Sequence, residues 1–237
     1  MTSETQIPLT QTDWAPAYRI IPSRFPPIDL FEKVTDPADL EAVFQIEAMT
    51  NQRLRDEVGD ISLVPPEDRV SGPGSSAVMA AFTHIAPDGA RFSTSMFGAF
   101  YCALELDTAI AETRFHRAAF LAATDEPAQT VDMRVYAADL SAELHDVRGA
   151  TESNPELYDP DSYAASQKFA QQLRAEGSDG VLYNSVRHDG GECAAVFRPR
   201  LLTRCRQTLH LGYVWNGSEI SDVFEKRALA SVRPQIG

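Results

Sequence analysis

Apolar and polar positions along the chain fall into blocks of two periods, and these blocks predict the elements. Residues 97–104 are short, apolar and aromatic, as a buried strand requires, and Asp107-Thr108 before an alanine-rich run marks a helix start with its cap. On that helix Glu112 and His116 are four apart and share a face with Ala109 and Ala119, which places a carboxylate beside an imidazole among small side chains. Far along the chain, residues 180–187 and 190–197 read as two strands joined by a Gly-Gly turn, with Ser185 ending the first. Residues 17–21 predict a short strand broken by Pro22. Asp36-Pro37 opens a helix running from Leu40 to near Gly59, and residues 77–84 suit a short helix. Residues 130–136 alternate as a strand, and residues 140–147 add a further apolar piece. Residues 163–175 form a helix with Phe169 and Leu173 inward, closed by Gly177. Residues 201–211 and 213–215 read as closing strands before Asn216-Gly217, a hairpin turn pairing residues 213–215 with 219–224. Residues 1–16 show no periodicity and are expected to be a loose leader with Trp14 pinning its end, residues 17–225 a single domain with an enlarged N-terminal helical segment, and residues 226–237 a tail.

Composition narrows the function classes. A chain of 237 residues with 43% hydrophobic and 23% charged residues can bury one sizeable core. Its net charge of −13 repels the phosphate backbone, so no nucleic-acid partner is expected. Cys102, Cys193 and Cys205 lack metal spacing, and Cys102 and Cys193 lie in apolar runs, so the cysteines read as reduced core residues of a cytoplasmic protein with no metal site. The start of the chain is polar and no apolar run approaches the ~18 residues of a spanning helix, so neither a signal peptide nor a membrane association is expected. Gly72-Pro73-Gly74-Ser75-Ser76 invites a phosphate-loop reading because small residues expose backbone donors, but it lacks the Gly-Lys-Ser/Thr ending and equally suits a plain loop.

Three residues in the order Arg, Glu, Ser stand in distinctive surroundings. Arg91 follows a Gly-Ala turn, Tyr101 comes ten residues later in the aromatic strand, Glu112 sits in Ala-Ile-Ala-Glu, and Ser185 sits in Gly-Val-Leu-Tyr-Asn-Ser-Val-Arg. On these words the chain resembles the RES family over residues 20–197, with Ala90-Arg91-Phe92 where many members carry Gly-Arg-Trp. The resemblance implies an α+β fold with an ADP-ribosyltransferase-like core of two small packed, mostly antiparallel β-sheets and flanking helices. It also implies a toxin of a type II toxin–antitoxin pair that consumes NAD by hydrolysis or phosphorolysis, and a cognate antitoxin protein that blocks the active site. The alternative within the family is a mono-ADP-ribosyltransferase that modifies a cellular protein.

Cleaving nicotinamide from ribose needs little acid catalysis, because the leaving group is already cationic. It needs stabilisation of an oxocarbenium-like sugar, a phosphate clamp and an aromatic surface. Under the resemblance Glu112 holds the ribose and offsets the developing charge, Arg91 binds pyrophosphate through its planar fork, Tyr101 stacks on nicotinamide, and Ser185 hydrogen-bonds either the amide or a neighbouring group. His116 would orient Glu112 or contact a phosphate. Arg19 and Arg24 compete for one cofactor contact, with Arg24 favoured because the flanking prolines hold it rigidly, and Arg187 is a third phosphate candidate. Each residue also has a structural reading: Arg91 as a turn cap, Tyr101 as core, His116 as a supporting residue, and Arg19, Arg24 and Arg187 as surface ion pairs. Two non-enzymatic classes remain, an NAD or ADP-ribose binding module and a plain α+β interaction protein.

Overall fold

A computed structural model of the chain describes residues 7–23, 30–33, 59–227 and 229, so Arg24 and all but the last residue of the helix expected over 40–59 lie outside the described residues. Seven strands are present there: β1 (Leu9–Pro22), β2 (Phe100–Ala103), β3 (Gln129–Asp146), β4 (Gly180–Asn184), β5 (Glu192–Val196), β6 (Leu202–Trp215) and β7 (Ile220–Lys226). The helices are α1 (Leu30–Lys33), α2 (Ser75–Thr83), α3 (Leu106–Ala123) and α4 (Ala164–Ala175).

The 18-residue strand β3 organises the sheet. One of its edges pairs with β1 from Met133 to His145, while the other pairs with β6 from Gln129 to Leu140 and then with β4 at His145 and Asp146. Strand β1 reaches β2 at Tyr18 and Ala103, β2 pairs with β5, and β5 with β4, so β1-β2-β5-β4-β3 closes into a ring from which β6 and β7 extend. Only the β3–β4 pairing is parallel. The α+β class and the antiparallel bias are as expected. The expected two sheets, however, form a single hydrogen-bonded one, because β3 is long enough to serve three neighbours.

Successive side chains of a strand point to opposite faces, and β3 uses both. Tyr136, Ala138, Leu140, Ala142 and Leu144 enter a core with Phe31, Met79, Phe82 and Phe100, under α1 and α2. Met133 and Val135 enter a second core with Phe92, Leu121, Leu173, Tyr213 and Trp215, under α3 and α4. Residues 130–136 and 140–147, expected as separate pieces, are one strand, whose apolar pattern is interrupted by Asp139 at a register irregularity against β6. The closing pieces expected over 201–211 and 213–215 are likewise one strand, Leu202–Trp215; the Phe224 ring lies so close over Gly212 that an added Cβ would sit 2.4 Å from its Cζ.

Two expectations are corrected. Residues 9–16 are not a loose leader: β1 starts at Leu9, and its polar first half is ordered by the backbone ladder with β3, with Thr12 and Trp14 turned inward and Gln11 and Asp13 outward. Helix α3 starts at Leu106 with Glu105 at its N-cap and no side-chain cap; Thr108 lies inside the first turn, where its Oγ1 is engaged with His188 Nδ1 at 2.8 Å. The Asn216-Gly217 turn forms as expected, with Asn216 Oδ1 accepting from the backbone N–H of Ser218 and Glu219 and Gly217 at φ +101°. The Gly72–Ser76 loop packs instead of opening: Gly74 has φ +81° and an added Cβ would lie 1.8 Å from the Cys205 carbonyl oxygen, while Ser75 and Ser76 are buried. Among the described residues no helix is long and apolar enough to cross a membrane.

Candidate active site

A cavity of about 230 Å³ lies where β1, β2 and α3 meet the ends of β4 and β5. Helix α3 contributes Ala109, Glu112 and His116 to its wall, β1 contributes Arg19, and β2 contributes Tyr101. Arg91, in the loop before β2, closes one side. Three residues separated widely in the chain, Arg91, Tyr101 and Glu112, therefore meet as the sequence reading expected.

Ser185 is delivered to Glu112 by the loop that follows β4. Its backbone N–H donates to Gly191 O at 2.8 Å, and the loop is tied to the first turn of α3 by the Thr108–His188 contact and by Gly191, whose missing Cβ would stand 2.7 Å from Thr108 Cγ2 and Oγ1. The Ser185 hydroxyl accepts from the backbone N–H of Arg187 at 3.1 Å and of His188 at 3.0 Å. With both lone pairs taken, its one proton goes to Glu112 Oε1 at 2.5 Å. A short bond of this kind suits an ionised carboxylate acceptor.

His116 Nε2 is 3.8 Å from Glu112 Oε2. Withdrawal from solvent pushes the His116 pKa below the ordinary value of 6.5, against the pull of Glu112 and with help from Arg187 and Arg91. The ring is therefore neutral at pH 7, although about half of the side chain, 54%, stays accessible.

Arg91 is held from behind. Its Nη1 donates to Leu157 O and Asp159 O, each at 2.9 Å, and its guanidinium stacks on the Tyr163 ring at 4.7 Å. Nε and Nη2 carry no hydrogen bond among the described residues, which leaves one edge of the fork for a ligand. Arg19 donates from Nη1 to Tyr101 O at 3.1 Å and lies over the Phe100 ring at 4.7 Å, while its Nε is buried with no partner. Of the two N-terminal arginines, Arg19 lines the cavity, whereas the favoured Arg24 falls outside the described residues. Arg187 does not line the cavity: its Nη2 donates to Pro160 O at 2.7 Å and its guanidinium lies 3.3 Å above the Phe115 ring.

Tyr101 presents its ring, not its hydroxyl. The oxygen accepts from Phe92 N at 2.9 Å and donates to Ser93 Oγ at 3.1 Å, and burial pushes its pKa up to about 12. Tyr163, Tyr183 and Cys193 also line the cavity and were not singled out in the sequence. Tyr163 read only as a helix start and Cys193 only as core, and their place at the wall depends on long-range packing that no local pattern encodes. The three cysteines are free and buried. Among the described residues no three His, Cys, Asp or Glu side chains converge as a metal ion would need.

Comparison with known proteins adds three findings. An uncharacterised protein of Sinorhizobium fredii strain NGR234, y4oC, is 32% identical over 222 residues, covering 92% of this chain and 91% of its own. The crystal structure of the Mycobacterium tuberculosis MbcT–MbcA toxin–antitoxin complex aligns over 88% of this chain and 87% of the matched chain, at 13% identity and a TM-score of 0.42. The RES domain profile matches residues 66–216, a span that contains Arg91, Glu112 and Ser185, and the chain belongs to the RES domain family.

Proposed function

We propose that this protein is a RES-type toxin that cleaves the nicotinamide–ribose bond of NAD, passing the ADP-ribosyl group to water or phosphate. The observation that carries the reading is the Ser185–Glu112 hydrogen bond, which fixes the carboxylate of a cavity that Arg91 and Arg19 also line. In the reaction nicotinamide departs with the bonding electron pair and becomes neutral, so no proton donor is required at the leaving group. Positive charge grows at the ribose, and Glu112, aligned by Ser185, is the group that offsets it. The free edge of Arg91 binds the pyrophosphate, and the Tyr101 ring supports the planar nicotinamide. His116, with its Nε2 3.8 Å from Glu112 Oε2, walls the cavity beside the carboxylate.

The RES membership further suggests a growth-arresting toxin of the cytoplasm, held in check by an antitoxin protein that covers the cavity. The test is incubation of the purified chain with NAD at neutral pH, with and without phosphate, following nicotinamide and ADP-ribose. Release of nicotinamide without a protein acceptor is expected, and Glu112→Gln should abolish it and relieve growth arrest at equal expression. Label transferred to a protein band, with no release in its absence, would replace this reading with the ADP-ribosyltransferase one. No nicotinamide release in either setting would overturn both.

A further inference from the structure

The cavity is smaller than the ligand it is assigned. At about 230 Å³ it falls below the ~300–1,000 Å³ of pockets that engulf a drug-sized molecule, whereas NAD carries two nucleotides. One nucleotide half therefore remains outside when the nicotinamide riboside half is seated against Glu112. Beside His116, which lines the cavity, stands a cluster that the reaction does not use. Phe115 on α3 is 38% exposed, next to His116, and its ring is edge-on to the imidazole at 5.4 Å. Arg187, two residues after Ser185, stands over that ring with Cζ 3.3 Å from its centroid and is tethered through Nη2 to Pro160 O at 2.7 Å. The tether consumes one donor nitrogen, and no hydrogen bond engages the others among the described residues. In a chain of net charge −13, an arginine held without a carboxylate partner and backed by an exposed aromatic ring is poised for an anionic, planar ligand.

We propose that Phe115 and Arg187 form an outer subsite for the adenosine 5′-phosphate half of the dinucleotide, Arg187 taking the phosphate and the Phe115–Arg187 stack supporting the base. This rests on the NAD reading above, and it makes substrate recognition modular. The inner cavity selects the nicotinamide riboside end, and the stack outside it selects the nucleotide half that protrudes.

The test separates the two halves by binding alone. AMP and nicotinamide mononucleotide are titrated into the Glu112→Gln chain, with and without Phe115→Ala. Phe115→Ala is expected to weaken AMP about tenfold, the loss typical of one stacked base, while nicotinamide mononucleotide shifts by less than about twofold. Phe115→Trp should keep the AMP affinity, which separates a lost stack from a damaged fold. Binding of nicotinamide mononucleotide without any AMP binding, or equal weakening of both ligands by Phe115→Ala, would overturn the subsite and leave the proposed reaction standing. Binding of neither mononucleotide, together with no NAD cleavage by the unaltered chain, would remove the NAD reading and the subsite with it.

Discussion

At the scale of single residues, the protonation pattern of Ser185 determines what Glu112 is able to do. Two backbone N–H groups occupy the hydroxyl's lone pairs, so the hydroxyl donates to Glu112 Oε1 and fixes that oxygen in place. A hydrogen bond to a charged group is worth about 1.5–3 kcal/mol, or about 10- to 150-fold in rate if it is felt fully in the transition state. Ser185→Ala should accordingly lower kcat for NAD cleavage by one to two orders of magnitude, a range of about 10- to 100-fold, with the circular dichroism spectrum unchanged. A kcat within about twofold of the parent would mean that Ser185 serves only the turn it caps. Arg91 shows the same economy: its Nη1 is given to Leu157 O and Asp159 O, and this anchoring aims the remaining edge of the guanidinium.

At the scale of elements, helix α3 and the loop after β4 act as one unit. Thr108 and Gly191 are the contact between them, and there glycine is required for close approach, since an added Cβ would sit 2.7 Å from both branches of the Thr108 side chain. Gly191→Ala should cost about 1–3 kcal/mol of stability by overpacking and should pull Ser185 away from Glu112, lowering activity along with the thermal midpoint. Removing the obstructing Cγ2 with Thr108→Ser in the same chain, which keeps the hydroxyl for His188, should restore part of both losses, because the two positions are coupled through one contact. Additive losses in the double variant would place the effect of Gly191 elsewhere. The strand β3 illustrates a second element-scale device, one long strand whose two faces serve two cores and whose two edges serve three neighbours.

At the scale of the whole molecule, His116 and His145 both have pKa values lowered from 6.5, in each case chiefly by burial. Between the lowered values and 6.5 the unfolded chain binds protons that the folded chain refuses, so stability is complete above about pH 6.5 and falls as the pH drops through that window. The net charge of −13 shrinks over the same interval, which eases self-repulsion and opposes the loss. The contribution of one histidine is therefore read as a difference. Denaturant unfolding of His116→Gln should show a shallower decline than the parent from pH 6.5 downward, and parallel curves would show that burial does not hold this imidazole neutral. Partial exposure of the ring keeps the expected difference small.

The local code of the chain was sufficient for several elements. The hairpin at Asn216-Gly217, the helix over residues 164–175, the strand carrying Tyr101 and the i, i+4 pairing of Glu112 with His116 all follow from short-range periodicity and turn chemistry, and all are present. The RES membership was equally legible, because the words around Arg91, Glu112 and Ser185 are local strings. Other features depend on partners distant in the chain. Residues 9–16 carry no apolar pattern and become a strand only because β3 offers them a backbone edge, and Thr108, inside the first turn of α3, finds the partner of its hydroxyl in His188, eighty residues away. Tyr163 and Cys193 gain their places at the cavity wall, and Phe115 its covering arginine, only once the ring of strands is closed. Amino-acid order by itself determined the elements with a strong local pattern and the family, since both rest on neighbours within a turn or two. The tertiary structure decided which of those groups meet, and in what hydrogen-bonding state, because that depends on strand register and on contacts between segments far apart in the chain.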